Sequence, residues 1–353
     1  MTTPSAGTAR SWLDIVKLLG TRGSFLRLLA VSALIVLVFG ALNPSVYLSG
    51  SNLQYIALAT PELAILSLAI AIAMLTAGID LSVVGIANLS AIVAAQVLVA
   101  SDGSPTWLLL GCAAGLATAL ACGLVNGVLV AQFNVPPILA TLGTSQLFLG
   151  LALVISGGTV IKGLPSSFTD LALVTVAGIP LIFLIMLLLA GAVAVLVSRT
   201  ALGFRMRMVG ANPVAADYSG IRRRRVLVQA YVISGALAGV AGLIISARAS
   251  GANSQYGLSY ILLAIVVAVL AGVNPEGGYI TVFGVVIAAL AMQFLATGLL
   301  SQGVSSHLVN VAQGMLLIMM MLLSTRIVPW WSDRRNKWRR QAPVPKDRAE
   351  VAA

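Results

Sequence analysis

The sequence predicts an all-α, polytopic transmembrane helical bundle of about ten spans, with broken helices and two weakly repeated halves. Three observations carry this reading. The first is composition: of 353 residues, 59% are hydrophobic and only 9% charged, where a soluble domain carries charge on roughly a quarter of its residues. The second is the recurrence of apolar runs long enough to cross about 30 Å of hydrocarbon. The third is the placement of charge. Of the 21 basic residues, all but Lys162 and Arg248 fall in three clusters: Arg10 to Arg27, Arg199 to Arg225, and Arg326 onward. A net charge of +11 could suggest nucleic acid, but clusters confined to alternate flanks of apolar runs are the positive-inside pattern of a membrane protein.

Polar, glycine and proline punctuation divides the chain into spans near 26–42, 54–78, 79–100, 107–131, 137–156, 176–197, 226–247, 258–273, 279–299 and 305–325. A basic leader, residues 1–25, precedes them, and a basic tail, 326–353, follows the transmembrane domain of 26–325. No small-residue cleavage site follows the first apolar run, so it reads as a retained span. Cys112 and Cys122 lie about 15 Å apart along one helix, too far for a disulfide. Six spans before the central cluster and four after it put both termini and that cluster on one side. The positive-inside rule makes that side the cytoplasm, leaving Asp102, Lys162 and Asp170 outside.

Three stretches interrupt the apolar runs. Thr60-Pro61-Glu62 predicts a helix start, with Thr60 as cap and Pro61 in the first position. Gly78 to Ser82 and Gly272 to Gly278 each predict a break. Broken helices at corresponding places in two halves point to a transport path, because irregular backbone at membrane depth is tolerated only where it lines protein or water. A sparse internal match supports the pairing: LAIAIAMLTAGID (68–80) lies over LLAIVVAVLAGVN (262–274), and downstream Leu129 and Gln132 fall over Leu299 and Gln302.

The central interruption, 199–225, contains one well-punctuated short helix. Asn212 suits the N-cap, Pro213 the first helical position and Gly220 a left-handed stop. It reads either as a docking piece for a soluble partner or as a solvated connector whose arginines set topology.

Asp80 is the polar residue hardest to set aside, since a carboxylate in hydrocarbon is costly unless paired or wet. It reads either as part of a substrate path or gate, with Ser82 and Asn88, or as the cap of a helix starting at Leu81. Glu62 has the same two readings. Asn126, Gln146, Gln293, Asn310 and Gln313 within spans, and Asn274 in the second break, could grip a hydroxyl-rich ligand or bond helix to helix. His307 stands alone, which excludes a His-based metal site or Ser-His-Asp set, and the chain has no P-loop motif. The expectation is a transport subunit, not an enzyme, with no cofactor or metal.

Four segments carry a family resemblance. TAGIDLSVVGIANLSAIVAA (76–95) resembles the TxGIDLSVGS segment of ribose-type carbohydrate ABC-transporter permeases. Residues 123–161 resemble that family's GxxNGxLV and TLG stretch, 203–221 its cytoplasmic GxxxxAxGxNxxAAxxSGI segment, and 272–290 its glycine-rich segment. The match runs from about Leu53 to Ser324, departing from the pattern at Val84-Gly85 and at Val273 to Glu276.

The resemblance implies an importer of a monosaccharide or similar small polyol. Two permeases, identical or related, would form the pore, with an ATP-binding subunit on the cytoplasmic face and a sugar-binding protein outside. ATP would be used by the partner. Asn212, Pro213, Ala215, Ala216, Asp217, Ser219 and Gly220 would form the coupling segment. Glu62, Asp80, Ser82, Asn88, Asn126, Gln146, Asn274, Gln293 and Gln313 are the expected path residues. Two other classes stand beside this one: an ion- or proton-coupled secondary carrier with Asp80 or Glu62 as the titrating group, and a membrane scaffold.

Overall fold

Prolines and small polar caps start many of the helices in this chain, and the structure, a computed structural model, describes residues 12–100 and 104–322. Asp102, the first eleven residues of the leader and the basic tail lie outside them. Helix α1 spans Trp12–Leu42 and the short α2 spans Pro44–Tyr47, with its proline in the first turn. Ser49 caps α3 (Gly50–Leu75), its side chain accepting from the Asn52 amide. After a non-helical stretch come α4 (Val83–Val99), α5 (Pro105–Ala131) and α6 (Pro137–Ser156), the last two again opened by proline. A long loop holds α7 (Ser166–Thr169) and a two-residue hairpin of β1 (Thr175–Val176) and β2 (Ile179–Pro180). Then follow α8 (Leu181–Arg199), α9 (Ala201–Ala211), α10 (Pro213–Tyr218) and α11 (Arg223–Ala249). The chain continues as α12 (Tyr260–Leu270), α13 (Val282–Ser301) and α14 (Ser306–Leu322).

The protein is an all-α polytopic membrane protein. Among the described residues, α3, α5, α6, α8, α11 and α13 are long and apolar enough to cross a bilayer, and Leu28–Leu42, α4 and α12 are shorter apolar helices. Burial sorts them. In its most apolar stretch α3 is 83% buried and α11 72%, whereas α5, α6 and α8 are each 28% buried. Helices α3 and α11 therefore form the centre, with α4 beside them, and α5, α6 and α8 turn apolar faces outward. Helix α11 packs most extensively on α5. Small residues permit that approach: a Cβ on Gly235 would lie 2.6 Å from the Ala119 carbonyl oxygen and 3.0 Å from the Gly123 Cα.

Several sequence expectations are corrected. Pro61 does not start a helix; α3 runs through it. Proline is tolerated inside a membrane helix where its neighbours and Ser/Thr side chains adjust around it. Beside Pro61 the Thr60 hydroxyl bonds back to the Ile56 carbonyl at 2.7 Å, one residue before the Ala57 carbonyl that loses its partner to the proline. The span expected from 176 begins at Leu181, because residues 175–180 form the hairpin. The helix after Asp80 starts at Val83, not Leu81. Both other breaks stand where expected, between Leu75 and Val83 and between Leu270 and Val282. Helix α9, with Thr200 as cap, lies in the charged interruption where only α10 was expected.

Candidate functional site

The α9–α10 segment is built by its own sequence. The Asn212 side chain accepts from the Ala215 amide at 3.0 Å, and its extended backbone turns the chain between the two helices. At the other end the Ser219 hydroxyl bonds the Ala215 carbonyl, and Gly220 takes the left-handed conformation, φ +74°, that halts the helix. The helix has two faces. Ala216 is fully buried against the bundle, while Val214 and Tyr218 are 63% and 89% exposed, with Asp217 exposed beside them. Of the residues expected in the coupling segment, Ala216 is thus the seat of the helix. An outward surface of Val214, Asp217 and Tyr218 remains. Beside it Arg222 to Arg225, with Gln132 and Asp217, line a cavity of about 590 Å³, where Arg224 reaches Gln132 at 3.4 Å.

A second constellation surrounds Asp80, which is fully buried. Its Oδ1 accepts from the Ser82 amide at 3.0 Å and the Ser82 hydroxyl at 2.6 Å, and its Oδ2 accepts from the Ser234 hydroxyl of α11 at 2.9 Å. The Ser82 hydroxyl in turn accepts from Asn126 Nδ2 at 2.7 Å, and Asn126 Oδ1 accepts from Thr144 at 2.6 Å. Four segments are joined this way: the first break, α5, α6 and α11. Asp80 makes an Asx turn two residues ahead of Ser82, the N-cap of α4, rather than capping it. A buried network with all these polar atoms satisfied rigidifies what it joins. Next to it the Tyr231 hydroxyl is buried without a hydrogen-bond partner among the described residues and stands over Gly78, where a Cβ would lie 2.5 Å away.

The third constellation is a pair of adjoining cavities of about 490 and 540 Å³ that share Tyr55, Arg248, Ser259 and Tyr260 in their walls. Arg248 Nε meets Glu62 Oε1 at 2.6 Å, Nη2 meets Oε2 at 3.3 Å, and the Tyr260 hydroxyl reaches Oε2 at 3.5 Å. The continuous α3 puts Glu62 mid-helix, so Arg248, not a helix terminus, answers its charge. Gln293, Asn310 and Gln313 line the larger cavity. Paired charges that cancel, tyrosine rings and neutral amides together suit a neutral, hydroxyl-rich solute. Removing one charge strands the other. Arg248→Ala is expected to lower stability by about 2 kcal/mol, below the fully buried range because the guanidinium is partly solvated. Glu62→Gln with Arg248→Gln should recover most of that loss. Thermal unfolding in detergent checks both, and equal loss in the single and double variants would contradict the pairing.

The remaining expected path residues do not join either constellation. Asn88 donates from α4 to the Ser254 and Tyr256 carbonyls at 2.8 and 2.9 Å, tying down the loop after α11. Asn274 is exposed and shapes its own turn, donating to the Gly277 carbonyl and accepting from the Glu276 amide. Gln146 is exposed on the outer face of α6. Sequence reasoning passed over Arg248, Tyr260, Ser234 and Thr144. Arg248 did carry a signal, being one of only two basic residues outside the three clusters.

A family model described as branched-chain amino acid transport system / permease component matches residues 52–325. The D-allose transport system permease protein of Escherichia coli is 32% identical over 288 residues, covering 82% of this chain and 87% of that protein. The autoinducer 2 import system permease protein of Salmonella paratyphi A is 29% identical over 326 residues, covering 87% of this chain and 96% of that protein. An Escherichia coli protein of the same description is 31% identical over the same length. No solved structure matches the chain.

Proposed function

The chain belongs to the family of branched-chain amino acid transport system permease components, and from that premise we propose that it is the membrane-spanning subunit of an ATP-driven importer for a monosaccharide or similar small polyol. The observation that carries the substrate class is the similarity over most of the chain to permeases described as importing D-allose and autoinducer 2. The two adjoining cavities at Arg248 and Tyr260 support it, one offering the mutually cancelling charges of Glu62 and Arg248 and the other the amides of Gln293, Asn310 and Gln313 to a neutral solute.

The chain carries no P-loop motif, so a separate ATP-binding subunit supplies the energy and an extracytoplasmic binding protein delivers the solute. The α10 surface of Val214, Asp217 and Tyr218 is where that ATPase docks. Asn212, Pro213, Ala215, Ser219 and Gly220 shape the helix, and Ala216 seats it. Ten helices cross the inner membrane, with the termini, the α9–α10 segment and both helix breaks at the cytoplasmic end. The arginines from Arg199 to Arg225 support that orientation. The two breaks follow matching sequence, which supports a duplicated architecture.

A second permease completes the pore against the outer face of α6. Gln146, the tenth residue of this 20-residue helix, is exposed there, and Gly143 and Gly150 beside it have open space over their Cα atoms. Lipid offers an amide no hydrogen bond, whereas a neighbouring helix does.

The substrate class is tested with cells expressing the chain, its partner ATPase and its binding protein. Uptake of radiolabelled D-ribose, D-allose, D-glucose and xylitol is compared with that of L-leucine. Uptake of at least one sugar or polyol, lost when this chain is deleted, is the expected result. Uptake of leucine with none of the others would overturn the sugar reading while leaving the family intact.

A further inference from the structure

The α9–α10 segment and both helix breaks meet at one point, Gly210. This residue lies in the last turn of α9, two positions before the Asn212 cap of α10. A Cβ there would strike the Leu75 carbonyl oxygen at the end of α3 and lie 2.6 Å from the amide nitrogen of Gly278 in the second break. That amide donates to the same Leu75 carbonyl at 3.0 Å, so the two breaks are bonded to each other beneath Gly210. The fit is equally close from the second break. A Cβ on Gly277 would lie 2.7 Å from the Gly210 carbonyl oxygen and 2.9 Å from the Ala77 Cβ. Gly277 and Gly278 have φ of +96° and +82°, and Ala77 holds +61° without being glycine. The elements on either side of each break lead elsewhere: α4 starts at the Asp80 network, and α12 runs to the cavity at Tyr260.

Backbone pressed on backbone has no side chain to rotate out of the way, so a displacement of α9 moves its neighbours instead of being absorbed. We infer that Gly210 is the positioning residue through which movement of α10 reaches both helix breaks at once. This rests on the reading of α10 as the ATPase contact, and it adds where the movement goes. Adding a methyl at Gly210 pushes α9 off the Leu75–Gly278 bond and leaves the outward face of α10 unchanged.

The test reconstitutes the complex of this chain, its ATPase and its binding protein in proteoliposomes and measures solute imported per ATP hydrolysed. Gly210→Ala is expected to keep ATPase copurification and hydrolysis near the parent level while uptake per ATP falls about tenfold. Ala77→Gly, which relieves a positive φ and removes the methyl facing Gly277, covers the case in which Gly210→Ala does not fold. It is expected to lower the same ratio about fivefold. Gly191→Ala on α8, with nothing within 4 Å of the added methyl, should leave the ratio unchanged. A purely structural role at Gly210 would lower uptake and hydrolysis together and leave their ratio intact. Parental ratios in both Gly210→Ala and Ala77→Gly, beside a coupled parent complex, overturn this inference alone. Failure of the ATPase to copurify with the parent chain overturns the reading of α10 and this inference with it.

Discussion

Asp80→Leu lowers the stability of the bundle by about 4 kcal/mol, because three donors lose their acceptor at once in a fully buried site. Those donors are the Ser82 amide, the Ser82 hydroxyl and the Ser234 hydroxyl. The loss spreads, since the Ser82 hydroxyl also accepts from Asn126, which holds Thr144. Ser234→Ala removes one donor but leaves the buried Asp80 Oδ2 without it, and is expected to cost about 2 kcal/mol. Thermal unfolding in detergent, with membrane insertion scored separately, reads the difference. The order matters more than either magnitude. An Asp80→Leu protein that inserts and unfolds like the parent but carries no solute would make Asp80 a transport group, and the network a by-product of its position.

The second large effect is expected on α10. Tyr218→Asp with Val214→Asp places two charges on the outward face of a helix whose other side is seated by Ala216. Exposed aromatic anchors typically contribute 2 kcal/mol or more at a protein interface, so ATPase affinity should fall about thirtyfold or further. Uptake falls with it, and insertion and thermal unfolding remain parental because neither side chain touches the core. Ala216→Leu should behave differently, weakening the fold itself by forcing volume into a filled site. ATPase copurification quantified against permease recovery separates the two. Parental copurification of the double variant would remove α10 from the interface.

How far these residues could be read from sequence depended on the range of the interaction. The α10 helix was legible because its cap, opening proline and stop lie within nine residues and act locally. The break from Gly78 to Ser82 was legible for the same reason. Pro61 was not, because proline in the first turn and proline inside a membrane helix look alike locally. What distinguishes them is the packing of α3 among the neighbouring helices. Helix α9 was obscured by the arginines that made the whole interruption look like a connector. The partners of Asp80 and Glu62 were out of reach for another reason. Ser234 lies 154 residues from Asp80 and Arg248 lies 186 from Glu62, so only the packing of α11 against the first break and α3 brings them together. Gly210 shows the limit most clearly: the motif marked the segment, but the two carbonyl and amide groups beneath it come from opposite halves of the chain.

Under the proposed function this chain moves its solute only when a partner hydrolyses ATP. Proteoliposomes holding the chain with its ATPase and supplied with the loaded binding protein give the most direct measurement. Uptake should require ATP, persist when an ionophore collapses ion gradients, and vanish when the ATPase is omitted. Uptake by the chain alone, driven by an ion gradient and abolished by the ionophore, would contradict the account and make it a secondary carrier.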